Sequence, residues 1–200
     1  MIKRYVAIIL AAGLSRRFGS PKLLYQIEGT SLIERVVQTF VSSNCIDKIV
    51  VVLGHERERL ENILKGYPVH TVYNPYYLLG MSSSLKISLS HVNDYDEVFL
   101  HLGDKPFIRP EIISEMIEAS KEKNPHIVVP TYNGKKGHPV LIGPGWYLKE
   151  KACYVEGDYG LRFVIERETE NVIYLSADET VLIDIDTEED LNRITNGGKE

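Results

Sequence analysis

The sequence has few cysteines, no excess of positive charge and no long apolar run. Its two cysteines, Cys45 and Cys153, are too few for a disulfide framework or a zinc site. The formal net charge of −5 gives no basis for a nucleic-acid or membrane partner. No stretch approaches the roughly 18 apolar residues of a membrane-spanning helix. The first residues predict a strand rather than a signal segment, so we expect a cytoplasmic protein.

Familiar nucleotide-binding and catalytic patterns are missing as well. The chain contains neither the Gly-x-x-x-x-Gly-Lys-Ser/Thr of P-loops nor the Gly-x-Gly-x-x-Gly of dinucleotide binders. Apart from His138, which is considered below, its histidines show no metal-ligand spacing, and no Ser-His-Asp or Cys-His arrangement is found. Any nucleotide site in this chain must therefore be built in another way.

Strand-like and helix-like segments alternate along the chain, which predicts a single α/β domain with a mostly parallel, Rossmann-like sheet flanked by helices. The domain is expected to span residues 1–195, with 196–200 as a frayed tail. Ser31 and Glu34 are spaced as a capping box at the start of one helix. Strands are predicted at 5–10, 48–53, 69–73, 97–102, 126–130, 137–142, 172–175 and 181–185, and helices at 31–42, 56–65, 81–91, from 110, at 159–167 and at 188–195.

The most informative stretch is residues 10–22, Leu-Ala-Ala-Gly-Leu-Ser-Arg-Arg-Phe-Gly-Ser-Pro-Lys, which directly follows a buried strand. Its small residues let a ligand approach the backbone, and Gly13 and Gly19 can adopt a positive φ. Exposed backbone N–H groups in such a loop cradle phosphate oxygens, while Arg17 and Lys22 supply positive charge. The stretch predicts a phosphate-binding loop.

Three further segments carry groups suited to a nucleotide site. Asp104 follows a predicted central strand, where open α/β sheets place ligands, and a carboxylate there suits Mg²⁺. Lys105, next to it, either contacts a phosphate or points to solvent. Ser82–Ser84 open a helix, where hydroxyl groups serve as helix caps or as ligand contacts. Asp186 follows another predicted strand, where either it or Thr187 can cap the helix that comes next.

Residues 10–22 resemble the signature of the nucleotidyltransferases related to molybdenum cofactor synthesis, Leu-Ala-Ala-Gly-x-Ser-x-Arg-Met-Gly-x-x-Lys, with Phe18 in place of Met. The resemblance covers Val6 to Leu191 in the family's order and implies the fold of the nucleotide-diphospho-sugar transferases. Ala12 is the residue typical of cytidylyltransferases, whereas guanylyltransferases tend to have glycine. The implied substrates are CTP and the molybdenum-pterin cofactor, and the implied product serves molybdenum hydroxylases of the xanthine dehydrogenase type.

The resemblance also implies roles for individual residues. Lys22, Arg17 and Asp104 would be catalytic, and Asp104 with Asp186 would bind Mg²⁺; the family has Gly-Asp-Gln-Pro where this chain has Gly103-Asp104-Lys105-Pro106. Ser84 is the preferred base contact. His138, Asp158 and Arg162 would bind the acceptor. The implied nucleotide-binding residues are Leu10, Ala11, Ala12, Gly13, Ser15, Arg17, Gly19, Lys22, Ser82, Ser83, Ser84 and Asp104.

Two other functions fit the same residues. The scaffold could transfer a guanylyl group, or transfer a nucleotide to a sugar phosphate. Alternatively, the chain could carry the molybdenum cofactor to a partner enzyme without turnover, although a pure carrier has no need of Lys22, Asp104 and Asp186. Pyrophosphate release separates the enzymes from the carrier.

Overall fold

The computed structural model describes residues 3–123, 125–158, 162–187, 189–191 and 193. It contains a central eight-stranded sheet and a small two-stranded one. The strands of the central sheet are β1 (Arg4–Ala11), β4 (Lys48–Leu53), β5 (His70–Tyr73), β6 (Asp96–Leu102), β7 (Ile127–Tyr132), β8 (Lys135–Lys136), β9 (Val140–Ile142) and β10 (Val172–Ser176). The small sheet is a hairpin of β2 (Gln26–Ile27) and β3 (Thr30–Ser31).

The central sheet has the order β10-β7-β9-β6-β1-β4-β5, with β8 paired to β7. Strands β6, β1, β4 and β5 are parallel, and β9 is antiparallel to both of its neighbours. The register pairs Leu10 with Leu102 and Ala11 with Leu53. The loops that follow β1, β4 and β6 therefore leave the same edge of the sheet at the same height.

Helices cover both faces of the sheet. They are α1 (Leu32–Ser42), α2 (Arg57–Leu64), α3 (Met81–Ser88), α4 (Pro110–Lys123), α5 (Gly145–Ala152) and α6 (Arg162–Arg167). Apolar residues of α1, α2 and α4 pack with one side of β1, and those of α3, α5 and α6 pack with the other. This two-sided burial is why β1 has a continuous apolar sequence rather than an alternating one.

The structure confirms the single α/β domain and most of the predicted elements. Ser31 and Glu34 form the predicted capping box at the start of α1, and β4 has the predicted bounds. The predicted helix at 159–167 is described only from Arg162, the predicted last helix only at 189–191 and 193, and the predicted tail at 196–200 lies outside the described residues. No described helix is long and apolar enough to cross a membrane.

One predicted strand is wrong. Residues 181–185 do not form a strand: Glu179–Val181 is a short 3-10 helix, and the segment after it has no regular structure. Val181 and Ile185 are buried, so the apolar residues that suggested a strand are used for packing instead. Helix α5, strand β8 and the β2–β3 hairpin were not predicted. Helix α5 begins without a side-chain cap, so its start lacks the usual signal in the sequence.

Candidate active site

A cavity of about 420 Å³ opens at the carboxyl ends of β1 and β6. Strands β4 and β5 lie on one side of β1 and β6 lies on the other, so the order of the sheet reverses here. Open α/β sheets bind ligands at such switch points, because the loops on either side diverge and leave a crevice.

The loop after β1 forms one wall of this cavity. No other atom lies within 4 Å of the position where a side chain would begin on Gly13, so a ligand can approach its backbone. The predicted positive φ occurs at Gly19 (73°) and not at Gly13, while Ser15 also has a positive φ (52°). Ser15 Oγ accepts a hydrogen bond from the backbone N–H of Lys22 at 3.3 Å. The loop thereby fixes the start of the segment that carries the lysine.

Lys22, Asp104 and Asp186 form an ionic cluster in the cavity. Lys22 Nζ lies 2.8 Å from Asp104 Oδ2 and 3.0 Å from Asp186 Oδ1. Arg17 contacts the other oxygen of Asp186, Oδ2, at 2.9 Å. The Lys22 side chain is 11% exposed and that of Arg17 is 73% exposed, so the lysine lies inside the cluster and the arginine at its rim. The fold has joined charged residues from three distant segments of the chain.

The two carboxylates are suited to a divalent cation. Asp104 Oδ1 is buried and has no hydrogen-bond partner among the described residues, which marks a place for a ligand. In the part of the chain that the structure describes, no group of three His, Cys, Asp or Glu side chains could hold a metal. Mg²⁺ is commonly bound by one or two carboxylates together with substrate phosphates, which are hard oxygen ligands. Asp104 and Asp186 fit that arrangement.

Lys105 points into the protein, so neither orientation considered from the sequence is observed. Its Nζ donates to the carbonyl oxygen of Leu182 at 3.0 Å and to Asp184 Oδ2 at 3.3 Å. It does not line the cavity and it is not directed to solvent.

The three serines at the start of α3 differ in their positions. Ser84 is buried and lines the cavity, and its Oγ accepts a hydrogen bond from Asn74 Nδ2 at 3.0 Å. Ser83 Oγ accepts from the same nitrogen at 2.8 Å but does not line the cavity. Ser82 is buried, and its backbone N–H donates to the carbonyl oxygen of Gly157 at 2.9 Å. Ser84, the preferred base contact, is thus the serine that faces the cavity.

Asn74 is a residue that sequence reasoning missed. It is fully buried, and its backbone N–H donates to the carbonyl oxygen of Leu53 at 2.7 Å. Asn74 therefore connects the end of β4, through its backbone, to the first turn of α3, through its side chain, and so supports Ser84. The Asn74-Pro75 pair after a strand is a turn signal, which was the only indication in the sequence.

An apolar wall of the cavity was also not predicted. It includes Tyr77, Leu78 and Met81, which line the cavity together with Leu10 of β1 and Leu14 of the first loop. Apolar surface beside a polar region is suited to the flat organic part of a substrate.

The three predicted acceptor residues are not brought together. Asp158 lines the cavity, and its Oδ1 accepts a hydrogen bond from the backbone N–H of Met81 at 3.0 Å. Arg162 is 80% exposed and pairs with Glu166 of its own helix at 2.9 Å. His138 does not line the cavity, and its ring is edge-on to that of His101 at 6.1 Å between centroids. Burial, together with the nearby charge of Lys105, lowers the pKa of His138 to about 4.

The cavity thus gathers most of the predicted site. The predicted residues that line it are Leu10, Ala11, Ala12, Gly13, Ser15, Arg17, Lys22, Ser84, Asp104, Asp158 and Asp186. The predicted residues that do not line it are Gly19, Ser82, Ser83, His138 and Arg162.

Comparisons with known proteins show which family the chain resembles. Residues 7–172 match the family model described as the MobA-like NTP transferase domain. The chain is 29% identical to a probable molybdenum cofactor guanylyltransferase of Aquifex aeolicus, over 93% of this chain and 88% of that protein. It is 31% identical to a protein of the same description from Thermococcus sibiricus, over 64% of this chain and 62% of that protein.

A solved structure shares the fold. The structure of a nucleotidyl transferase from Methanothermobacter thermautotroptrophicus superimposes with a TM-score of 0.82, over 97% of each chain, at 21% sequence identity. At that identity the likeness shows the fold alone, which is the α/β fold predicted from the sequence.

Proposed function

We propose that this chain, which belongs to the MobA-like NTP transferase family, joins the nucleoside monophosphate of a nucleotide to a phosphate of the molybdenum-pterin cofactor and releases pyrophosphate. Membership of the family makes it a nucleotidyltransferase. The observation that carries the proposal is the contact of Lys22 with both Asp104 and Asp186, inside a cavity whose wall is the loop after β1.

The proposed reaction needs no protein base. A phosphate monoester has a second pKa of about 6, so the acceptor is already largely a dianion at neutral pH. One of its oxygens can therefore attack the α-phosphorus of the nucleotide directly, with pyrophosphate as the leaving group. None of the described residues that line the cavity is a histidine or a cysteine, which is the composition that such a reaction permits.

The charged residues of the cavity would bind and orient the triphosphate. Lys22 and Arg17, which neutralise Asp186 in this structure, would turn their donors to the phosphate oxygens and the leaving group. Asp104 and Asp186 would hold Mg²⁺, which when bound neutralises charge that develops on the phosphates. Positioning and charge neutralisation together account for most of the catalysis in phosphoryl-transfer reactions.

We propose CTP as the nucleotide, because Ala12 is the residue that resembles the cytidylyltransferases and it lines the cavity. GTP is the second candidate, because the relatives from Aquifex aeolicus and Thermococcus sibiricus are described as probable guanylyltransferases. The choice of CTP over GTP rests on the methyl group of Ala12. One methyl or methylene group changes the free energy of discrimination in a fitted pocket by about 1–3 kcal/mol. The product would serve a molybdenum hydroxylase of the xanthine dehydrogenase type.

Pyrophosphate release tests the proposal. The assay contains the molybdenum-pterin cofactor, Mg²⁺ and either CTP or GTP, with the wild type, Asp104→Asn, and Asp94→Asn as a matched control. Asp94 pairs with Lys149 on another part of the surface, so its variant removes a carboxylate charge away from the cavity. We expect release with CTP by the wild type and by Asp94→Asn, and almost none by Asp104→Asn.

The other outcomes select among the alternatives. Faster release with GTP would replace the cytidylyl assignment by the guanylyl one. Release only when a sugar phosphate replaces the pterin would move the acceptor to that class. Tight binding of the pterin cofactor without any pyrophosphate release would overturn the proposed enzymatic function and favour a carrier of the cofactor.

A further inference from the structure

Asp186 lies on a segment that has no helix or strand to fix it. Residues 183–186 are irregular, so the position of the carboxylate depends on contacts with other parts of the molecule. One is a hydrogen bond from the backbone N–H of Ile185 to the carbonyl oxygen of Asp104 at 3.0 Å. Another is the burial of the Ile185 side chain among Phe18, Ile27 and Leu32. The backbone N–H of Asp186 also donates to Asp190 Oδ2 at 3.2 Å, and the carbonyl oxygen of Val181 accepts from the backbone N–H of His138 at 2.9 Å. These contacts hold the chain on both sides of residues 182–184.

Lys105 adds a side-chain connection to residues 182–184. It follows Asp104 directly and is 7% exposed. Its Nζ holds the carbonyl oxygen of Leu182 at 3.0 Å and Asp184 Oδ2 at 3.3 Å. The other end of Lys105 is anchored to β6, because its carbonyl oxygen is 3.0 Å from His101 Nε2 and its backbone N–H donates to Leu102. Lys105 therefore connects the end of β6, through its backbone, to the segment that carries Asp186, through its side chain.

The two aspartates of this segment face different cations. Asp184 pairs with Lys105, while Asp186 pairs with Lys22 and Arg17. The side chain of Lys105 is 9% exposed and that of Asp184 is 50% exposed, so loss of a partner leaves the ammonium group, and not the carboxylate, without compensation in the interior. The contacts of Lys105 with Leu182 and Asp184 therefore tie the residues just before Asp186 to the residue that follows Asp104.

We propose that Lys105 is a positioning residue: it holds Asp186 opposite Asp104 and so sets the affinity of the site for a divalent cation. The inference rests on the proposed function, because it takes Asp104 and Asp186 as the cation ligands. Lys105 would act through Asp186 and would not touch the nucleotide. Residues that orient metal ligands typically change metal affinity by about 10–100-fold when they are replaced.

Binding of Mn²⁺ in the presence of CTP, followed by electron paramagnetic resonance, tests the proposal. The variants are Lys105→Met, which keeps the apolar stem of the side chain, and Asp184→Asn, which keeps Lys105 itself. Lys121→Met is the matched control, since it removes an ammonium group that pairs with Glu118 on the exposed face of α4. We expect Lys105→Met to weaken Mn²⁺ binding by at least tenfold, Asp184→Asn to weaken it less, and Lys121→Met to leave it unchanged.

A double-mutant cycle separates positioning from a merely structural role. In an Asp186→Asn background, Lys105→Met should weaken Mn²⁺ binding no further, because the ligand through which it acts is gone. Equal effects in both backgrounds would overturn the proposal. So would a Lys105→Met protein that unfolds at lower temperature but binds Mn²⁺ like the wild type. If Lys105→Met does not fold, wild-type affinity in Asp184→Asn overturns it.

The proposed function fails in a different way. If Asp104→Asn binds Mn²⁺ and CTP as the wild type does, the carboxylates are not the cation site and both proposals are lost. If Asp104→Asn loses Mn²⁺ while Lys105→Met keeps it, only the role of Lys105 is lost.

Discussion

The residues predicted to bind the nucleotide (the nucleotide side) and those predicted to bind the acceptor (the acceptor side) differ in how their charged groups are held. On the nucleotide side, Lys22 lies within 3.0 Å of both Asp104 and Asp186, which come from distant segments, in a partly buried cluster. On the acceptor side, Arg162 does not line the cavity; it pairs with Glu166 of its own helix and is largely exposed. An ion pair between residues one helical turn apart stabilises the helix that contains it. Ion pairs between distant segments form only when the whole domain is folded, because bringing the segments together costs chain entropy. The charged cluster predicted to bind the nucleotide is therefore held by tertiary contacts, whereas Arg162, predicted to bind the acceptor, is held only within its own helix.

The largest expected effect is on the nucleotide side. Asp104→Asn and Lys22→Met should each lower kcat for pyrophosphate release by about 10²–10³-fold. Lys22→Met removes a positive charge that would contact the phosphates, and Asp104→Asn removes a carboxylate that would hold Mg²⁺. Steady-state assays at saturating nucleotide measure this decrease in kcat, with Asp94→Asn as the control. Retention of more than a tenth of the wild-type kcat in either variant would show that the cluster is not the reaction centre.

The second prediction concerns His138, which was expected on the acceptor side and packs against His101 instead. Burial lowers its pKa to about 4, compared with about 6.5 in the unfolded chain. As the pH falls, His138 is therefore protonated in the unfolded state before it is protonated in the folded state. The contribution of neutral His138 to the unfolding free energy is fully present above pH 6.5 and is lost as the pH falls toward 4. Between pH 7 and pH 5 this amounts to about 2 kcal/mol of unfolding free energy.

Urea unfolding at the two pH values measures that loss. We expect His138→Gln to lose about 2 kcal/mol less than the wild type on acidification. His70→Gln, which changes an exposed histidine on β5, should behave like the wild type. Equal losses of unfolding free energy in the wild type and in His138→Gln would mean that His138 is accessible to protons in the folded state. That result would again favour His138 as a residue that binds the acceptor.

The third prediction concerns the ammonium group of Lys22, which is the cation that already contacts both carboxylates of the cluster. Since Lys22 Nζ contacts both carboxylates, it competes for the position of a divalent cation when no nucleotide is bound. Lys22→Met should therefore bind Mn²⁺ about tenfold more tightly than the wild type in the absence of nucleotide. Calorimetric titration measures this. Weaker binding by Lys22→Met would mean that the lysine supports the metal site rather than competes for it.

The smallest effect is expected at Arg162. Because its guanidinium group is exposed and paired within α6, Arg162→Ala should change KM for the acceptor by less than about threefold and leave kcat unchanged. Lys149→Ala, at another exposed ion pair, is the control. A tenfold rise in KM for Arg162→Ala alone would show that the acceptor side assembles when the acceptor binds, and would remove the contrast between the two sides.

Local pattern was enough to predict the elements that lie in the centre of the fold. The apolar run of β1, the capping box of Ser31 and Glu34, and the bounds of β4 each depend on residues close together in the chain. The loop after β1 could be predicted for the same reason, since its small residues and cations are consecutive. Pattern failed at 181–185, where apolar residues found a core to pack against but no strand to pair with.

The sequence by itself was enough to predict which groups take part: a phosphate-binding loop, two carboxylates and a serine at a helix start. Only the tertiary structure decided which of them meet. Lys22 and Asp186 are 164 positions apart, and their contact depends on the folding of an irregular segment against the end of β6. The direction of Lys105 and the burial of His138 were decided in the same way. The energy of a charged group depends on its distance to partners and to water, and neither distance is a property of the local sequence.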